Sequence, residues 1–213
     1  MNNMRKICFL IIAGCFLSVS IVHAQKSVVG IKGGINLTSL TSDQEGDKSL
    51  KLGVHAGVYD KIAFNSLLAL QPELLYNLNG LKIDYGNNAI IDGETHFNLH
   101  YLSLPVKLVV NLTKNLEIQA GPYVGYLIAA STSTNATVLD YFNISSENEL
   151  DRGAFNTWDY GLTGGLDFYL DPLIIGVNYS AGLNSVAKED EASYSLLGEA
   201  KNSVIQIFVG ISF

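Results

Sequence analysis

The sequence has few of the residues on which disulfide, thiol and metal chemistry depend. Its two cysteines, Cys8 and Cys15, both lie within the first 24 residues, so the rest of the chain carries no thiol and no disulfide. It has four histidines, and none of them stands in an HExxH or Cys/His metal motif. A glycine-rich phosphate loop and a nucleophile elbow are also absent. The sequence therefore offers no recognisable motif for the common catalytic and metal-binding classes.

Charged residues are scarce, and basic ones most of all. They make up 15% of the chain, against about a quarter in a typical soluble domain, and the mean hydropathy is +0.23. Without residues 1–24 the chain has 11 Lys and Arg residues against 20 Asp and Glu, a formal net charge of −9. Nucleic acid is bound by basic surfaces, so we expect no nucleic-acid partner. A chain this apolar is either very well buried or in contact with lipid.

Only one long hydrophobic run is present, and it lies at the start of the chain. Arg5 and Lys6 precede an apolar stretch over 7–22, and the small-residue site Val22-His23-Ala24 follows. This order is typical of a secretory signal peptide. We predict a signal peptide over 1–24, cleaved near Ala24, and a single domain over 25–213.

Two other readings of the N-terminal segment stay open. The first is an uncleaved membrane anchor, although the apolar run is shorter than the roughly 20 residues that a spanning helix needs. The second is a lipoprotein signal, because Ile12-Ala13-Gly14-Cys15 resembles a lipobox. The apolar stretch continues past Cys15, whereas a lipobox normally ends it.

Apolar and polar residues alternate with period two in eight segments, which is the pattern of β-strands. The apolar face is almost free of charge, and the other face is mostly glycine with single charges and amides. A soluble sandwich would place Lys, Glu and Thr on its outer face, whereas small residues suit the inside of a narrow barrel. We therefore predict an all-β fold, an eight-stranded antiparallel transmembrane up-and-down β-barrel. The predicted strands are Val28–Thr38, Leu50–Tyr59, Leu67–Leu78, Phe97–Val110, Leu116–Ala130, Trp158–Leu170, Leu173–Asn184 and Ser203–Phe213.

The connections alternate between short and long. The segments 60–66, 111–115 and Asp171-Pro172 are short, whereas 39–49, 82–96, 131–156 and 185–202 are long and polar. Short periplasmic turns and longer extracellular loops are typical of outer-membrane barrels. The long connections hold 14 of the 20 acidic residues, so we expect an acidic outer rim. Within them, 135–141 and 194–197 are apolar enough to contact a partner or to extend a sheet above the membrane.

Four segments resemble a known family: "LQPELLYNLNG" (70–80), "YLSLPVKL" (101–108), "IQAGPYVGYL" (118–127) and "DYGLTGG" (159–165). The chain looks like the outer-membrane β-barrel domain of Bacteroidetes, the PorT-like group of small barrels of the OmpA/OmpX type. The resemblance implies fold and location. PorT itself supports a protein-secretion and gliding system, but fold-level likeness does not carry that role over.

The ending "IQIFVGISF" is similar to the end signal of outer-membrane proteins, with Phe213 preceded by apolar residues at alternate positions. We expect the barrel-assembly machinery to recognise this strand. The alternative is an ordinary edge strand. Outer-membrane lipids and lipopolysaccharide are the other expected partners, with a possible unknown protein at the extracellular loops.

Candidate chemistry is sparse. His96 beside Glu94, with serines in the facing loops, is the one combination that a surface hydrolase could use; the alternative is a solvated loop histidine. The run Lys188-Glu189-Asp190-Glu191 and the trio Asp43, Glu45 and Asp47 could hold Ca²⁺ or Mg²⁺, but no EF-hand spacing is present. A hydrated acidic rim that shares divalent ions with lipopolysaccharide is the preferred interpretation. We predict no catalytic, cofactor-binding or metal-binding residue.

The alternation also assigns side chains to the lumen. We predict that Lys107 faces Glu117 across a hairpin, and that Lys32 and Lys51 pair with inward carboxylates such as Glu73 and Asp167. His55 is expected in the lumen, and His96 and His100 near the outer rim. Lipid-facing aromatic residues should form two belts. The outer belt is Tyr76, Tyr126, Trp158 and Tyr160, and the periplasmic belt is Phe168 and Phe213.

These features predict a non-enzymatic structural or interaction protein that acts through long acidic extracellular loops. An accessory of a secretion or gliding apparatus is the first alternative. A narrow pore and a surface lipid or peptide hydrolase are lesser ones.

Overall fold

The computed structural model describes residues 27–41, 51–88, 91–138, 142–149, 155–188 and 200–213. Among these residues no helix is long and apolar enough to cross a membrane. The strands are β1 (Ser27–Thr41), β2 (Lys51–Ala63), β3 (Leu68–Asn88), β4 (Ile91–Asn111), β5 (Leu116–Val138), β6 (Phe142–Glu149), β7 (Trp158–Leu170), β8 (Leu173–Ser185) and β9 (Lys201–Ser212).

Eight of these strands close into a barrel. Going round the ring, each strand pairs antiparallel with the next, in the order β1, β2, β3, β4, β5, β7, β8, β9. Pairing of β1 with β9, from Gly30↔Ser212 to Thr41↔Lys201, closes the ring. The predicted eight-stranded antiparallel barrel is confirmed, and β6 is a ninth strand outside the ring. We call the end with the connections Phe64–Leu67, Leu112–Asn115 and Asp171-Pro172 the turn end, and the opposite end the loop end.

Side-chain exposure follows the predicted alternation. In β2 the outward residues Leu52, Val54 and Val58 are exposed, whereas the inward residues Lys51 and His55 are buried. The other strands of the ring repeat this pattern, with apolar side chains outside and polar ones inside. Such an exposed apolar surface is stable only in contact with lipid, and a closed ring leaves no unpaired backbone there.

Two of the predicted long loops are instead strands over much of their length. The segment 82–96 belongs to a hairpin in which β3 runs to Asn88 and β4 starts at Ile91. The segment 131–156 contains the end of β5, up to Val138, and the whole of β6. The prediction of loops there is wrong because these strands are polar, and the apolar face that identifies a strand is needed only inside the membrane. The expected extension of a sheet is found for Asn135–Val138, while 139–141 and 194–197 lie outside the described residues.

These extended strands form one sheet that continues past the ring. Strand β5 pairs with β7 only as far as Tyr126↔Trp158, and from Ser131 onwards it lies between β4 and β6. Likewise, β2 pairs with β3 only up to His55↔Asn77, whereas β3 and β4 stay paired to Asn88↔Ile91. We call residues 82–88, 91–98, 131–138 and 142–149 the protruding sheet.

Candidate functional site

Side chains fill the lumen. Large rings from one strand occupy the positions where glycines of another strand have no side chain. A Cβ atom on Gly30 would stand 2.3 Å from the ring of Tyr59, and one on Gly176 would stand 2.3 Å from the ring of Phe208. Glycine on the inward face therefore makes room for an aromatic ring from another strand. This confirms the prediction that small residues serve lumen packing.

An ion cluster of three buried residues crosses the middle of the lumen. Glu73 forms two ion pairs: its Oε2 lies 2.7 Å from Lys32 Nζ, and its Oε1 lies 2.9 Å from Lys107 Nζ. Each of the three side chains is at most 2% exposed. A buried charge is tolerated only when it is paired, and here two ammonium groups share one carboxylate.

Amide side chains link this cluster to a second carboxylate. Gln71 donates from Nε2 to Glu73 Oε1 at 2.8 Å and to Gln119 Oε1 at 3.2 Å. Gln119 in turn donates to Asp167 Oδ1 at 2.8 Å and to Asn178 Oδ1 at 3.1 Å. Asp167 also interacts electrostatically with Lys32 and Lys107. The predicted inward set of Lys32, Lys107, Glu73 and Asp167 is thus brought together.

The predicted pair of Lys107 with Glu117 is wrong. Glu117 lies opposite Asn111 and forms its ion pair with Lys61, which also lies 4.8 Å from the centre of the Tyr169 ring. The turn occupies only Leu112–Asn115, so Glu117 is too close to it to reach Lys107 across the hairpin. Lys61 was missed because it falls inside the predicted short connection 60–66, whereas β2 continues to Ala63.

Lys51 is inward and buried as predicted, but among the described residues no carboxylate pairs with it. Its Nζ donates to the backbone oxygens of Asn79 at 3.2 Å and Phe97 at 2.7 Å, and to the side-chain oxygen of Asn98. Gly80 lies at the same place with a φ of +150°, and a Cβ there would stand 2.7 Å from Lys51 Nζ. Lys51 therefore binds the β3–β4 hairpin where it leaves the ring.

A network of neutral side chains fills the loop half of the lumen. His55 Nδ1 lies 2.6 Å from Asn36 Oδ1, and since that oxygen only accepts, Nδ1 carries the hydrogen. Gln206 donates to Asn36 Oδ1 at 3.3 Å and to Asn77 Oδ1 at 2.9 Å. Asn36 donates to Asn79 Oδ1 at 3.1 Å. The predicted lumen position of His55 is confirmed, and its role is to hold this network.

Apolar side chains close both ends of the lumen. At the turn end Tyr59, Ile174 and Phe208 pack together, with Tyr169 against them. At the loop end a larger cluster, which we call the lid, is at most 4% exposed. It consists of Leu99, Tyr101, Leu127, Ala130, Phe155, Val186, Ala187 and Ala200.

The connections at the loop end are held over the barrel by Asn156. Its backbone N–H donates to Val186 O at 2.9 Å, and its side-chain Nδ2 donates to the backbone oxygens of Ser185 at 2.8 Å and Ala187 at 3.0 Å. The connection between β6 and β7 is thereby tied to the connection between β8 and β9. No motif in the sequence singles out this asparagine.

The lipid-facing aromatic residues are exposed as predicted. Trp158 is 57% exposed and packs edge-to-face on Tyr126, with ring centroids 5.0 Å apart. Tyr76 OH lies 2.6 Å from Nδ1 of His100, near the loop end. The remaining predicted aromatics are exposed too: Tyr160, Phe168 and Phe213.

Of the candidate chemical residues, Glu94 and His96 lie in the protruding sheet. Glu94 and His96 are two residues apart on the extension of β4, where their backbones lie opposite Asn135 and Ser133. The structure describes the backbone of these two residues and not their side chains. Asp43, Glu45, Asp47 and the acidic residues at 189–191 are not among the described residues. In the part of the chain that the structure describes, no group of three or more His, Cys, Asp or Glu side chains could hold a metal ion.

A closed antiparallel ring, an apolar outer surface and a filled polar lumen define a transmembrane β-barrel. The match to known families agrees: the model of the outer membrane protein beta-barrel domain matches residues 23–188. The chain belongs to this family, whose members are barrels of the outer membrane.

Solved structures with a similar fold include several small outer-membrane barrels. Ail of Yersinia pestis, in complex with the heparin analogue sucrose octasulfate, is 13% identical, with a TM-score of 0.46 over 88% of this chain and 99% of that chain. Neisserial surface protein A is 14% identical, with a TM-score of 0.43 over 87% and 97%. OprG of Pseudomonas aeruginosa is 14% identical, with a TM-score of 0.33 over 89% and 97%. A search of curated proteins finds no match.

Proposed function

We propose that this barrel is a non-enzymatic interaction protein whose protruding sheet and acidic loops bind a positively charged surface of a partner protein. The observation that carries the proposal is the continuation of β3, β4 and β5 past the ring, with β6 added to them. Strands that only span a membrane need about 9–11 residues, whereas β5 has 23. The additional residues build a platform on the side that we take to be extracellular.

The charge of this platform favours a basic partner. The four segments of the protruding sheet contain Asp84, Asp92, Glu94, Glu147 and Glu149 against the single Lys82. The sequence segments 42–50 and 189–199 add further carboxylates. A surface of one sign attracts a partner of opposite sign and speeds its association, more strongly at low salt.

The test is cross-linking on intact cells, with matched charge variants. One variant carries Glu147→Gln and Glu149→Gln on β6, and the control carries Asp60→Asn and Asp171→Asn at the turn end. We expect the wild type and the control to capture the same partner and the β6 variant to capture less of it. The wild-type yield should also fall as NaCl is raised from about 50 to about 500 mM. Equal capture by both variants would contradict the proposal.

The absence of catalysis is part of the same proposal. The lumen side chains bind each other, and the one sequence combination suited to hydrolysis is Glu94 with His96. We expect purified barrel to leave lipid A and peptide substrates unchanged. Hydrolysis that disappears in His96→Ala would favour the surface-enzyme alternative.

A role in protein secretion or gliding is the second candidate. Its support is the resemblance of segments 70–80, 101–108, 118–127 and 159–165 to the PorT-like group. Deletion of the gene should then block secretion, and restoration should require the turn-end connections. Normal secretion in the deletion strain would remove this candidate.

Export and assembly are proposed to follow the sequence signals. Cleavage after Ala24 would leave Gln25 as the first residue, and the intact mass of purified protein tests this directly. Outer-membrane lipids and lipopolysaccharide would contact the apolar belt, and the assembly machinery would bind β9.

A further inference from the structure

The buried ammonium group of Lys51 lies where the protruding sheet leaves the ring. Lys51 is the first residue of β2 and is 5% exposed. Strand β3 pairs with β2 only up to Asn77, which lies opposite His55, whereas β3 and β4 stay paired to Asn88↔Ile91. Lys51 therefore faces the root of a hairpin that has already separated from its own strand.

The three hydrogens of this ammonium group have three acceptors, and all three belong to the hairpin. Lys51 Nζ donates to Asn79 O on β3 at 3.2 Å, to Phe97 O on β4 at 2.7 Å, and to Asn98 Oδ1 on β4. A charge excluded from water is stable only if polar groups replace the water, and here oxygens of the hairpin do so. One side chain of the ring thus binds both strands of the hairpin.

Gly80 makes this contact possible. Its φ is +150°, a conformation that glycine adopts without strain. A Cβ at this position would overlap Phe97 O and would stand 2.7 Å from Lys51 Nζ. The carbonyl oxygen of Phe97 and the ammonium group of Lys51 therefore meet in space that only a glycine leaves free.

The acceptors of Lys51 are also linked to the neighbouring strands. Asn98 Nδ2 donates to Ser131 Oγ on β5 at 3.4 Å, and Asn36 Nδ2 on β1 donates to Asn79 Oδ1 at 3.1 Å. Side-chain contacts at this level therefore run from β1 to β5. In the described part of the chain, the protruding sheet beyond this level is paired only within itself.

We propose that Lys51 is the positioning residue of the protruding sheet, because its ammonium group fixes the orientation in which the sheet projects from the ring. Hydrogen bonds from a charged donor are stronger than neutral ones, and three of them act on one short stretch of the hairpin. Without them, the sheet would be held by the backbone of its own strands and could tilt. That this orientation presents the acidic surface to a partner rests on the proposed function.

The experiment measures the distance between two spin labels by double electron–electron resonance, on the full barrel in lipid nanodiscs. The sequence has no cysteine beyond residue 24, so Ser145→Cys on β6 and Lys201→Cys on β9 can carry the labels. Strand β9 lies across the ring from β4, and Lys201 is exposed. A tilt of the protruding sheet therefore changes this distance directly.

We expect a narrow distribution of distances when Lys51 is present. Lys51→Met keeps the length of the side chain and removes the charge, so its distribution should be severalfold broader or shifted by several ångströms. The control is Lys61→Met, which removes a lumen ammonium group from the turn end and should keep the narrow distribution. A wild-type distribution in Lys51→Met would overturn the proposal. If Lys51→Met does not fold, Asn98→Ala removes one of the three acceptors, and an unchanged distribution in this variant would overturn the proposal equally.

Cross-linking to the partner on intact cells tests the functional part separately. Lys51→Met leaves the charges of the protruding sheet unchanged and makes the barrel more negative, yet we expect it to capture severalfold less partner than the wild type. Equal capture despite a broadened distribution would overturn the link between orientation and binding. Absence of any captured partner with the wild type would contradict the proposed function, and the distances would still decide whether Lys51 positions the sheet.

Discussion

At the scale of single residues, the balance of charge in the lumen depends on Glu73. Its carboxylate forms ion pairs with both Lys32 and Lys107, and all three side chains are excluded from solvent. Glu73→Gln would keep the shape of the side chain and remove the negative charge. Breaking a buried ion pair from one side typically costs about 3–5 kcal/mol, because the partner charge is left uncompensated. We expect a loss of this size, measured by urea unfolding in lipid vesicles.

A triple variant distinguishes the contribution of the charges to the free energy of unfolding from the contribution of side-chain packing. Lys32→Met, Glu73→Met and Lys107→Met, made in an Asp167→Asn background because the Asp167 carboxylate also interacts with the two lysines, together remove every charge of the ion cluster. Replacing a whole buried cluster by apolar residues is often neutral or stabilising, so this variant should be more stable than Glu73→Gln. A control at the turn end, Asp171→Asn, should change the free energy of unfolding little. A triple variant less stable than Glu73→Gln would contradict this account.

The sequence could predict which residues face the lumen, but not which of them meet. Inward position follows from the period of two along a strand, and it is correct for Lys32, Lys51, Glu73, Lys107 and Glu117. Pairing depends on turn length and on which strands approach each other across the barrel. Glu73 reaches Lys32, on a strand that is not adjacent to its own, and alternation within one strand holds no information about this.

At the scale of elements, Asn156 ties two connections into the lid. Asn156→Ala would remove both side-chain hydrogen bonds and leave the backbone oxygens of Ser185 and Ala187 with fewer donors. A net hydrogen bond contributes about 0.5–1.5 kcal/mol, so we expect modest destabilisation, confined to the loop end. Hydrogen exchange should become faster at Val186 N–H, which donates to Ala200 O, and stay slow in β1. Uniformly faster exchange in all strands would show that Asn156 acts on the whole barrel instead.

Strand β9 carries the second prediction at this scale. It pairs with β1 and β8, and Phe213 N–H donates to Val29 O at 2.8 Å, so it completes the ring. Phe213 is 77% exposed on the lipid side of the turn end. We expect Phe213→Ser to lower the amount of heat-modifiable protein in the outer membrane, whereas Ser212→Ala should not. Normal levels of Phe213→Ser would argue against recognition of this residue during assembly.

The elements outside the membrane were the ones that the sequence pattern missed. Within the ring, every strand has an apolar face in contact with lipid, and this face identifies the strand in the sequence. For β7 it also identifies the first and last residues, since the predicted and observed strands are both Trp158–Leu170. Strand β6 reads FNISSENE and has no such face. Its pairing with β5 comes from backbone hydrogen bonds, which leave little trace in the sequence.

At the scale of the whole molecule, charge is distributed so that the barrel itself is close to neutral. The described lumen holds four lysines (Lys32, Lys51, Lys61 and Lys107) and four carboxylates (Glu73, Glu117, Asp159 and Asp167). The net charge of −9 beyond residue 24 therefore comes largely from the long connections at the loop end. A neutral, filled barrel that displays a charged end is suited to presenting a surface.

The same arrangement predicts that the barrel does not conduct ions. An ion crossing the lumen would have to displace the ion cluster of Lys32, Glu73 and Lys107 and pass the apolar groups at both ends. A cavity beside Asp159 has a volume of about 30 Å³ and lies beneath the lid, so it is a pocket rather than a path. In planar lipid bilayers we expect no stepwise current from the purified barrel at voltages where a large porin in the same preparation gives clear openings. Reproducible unit openings would require an axial path through the ion cluster and would restore the narrow pore as the better description of this protein.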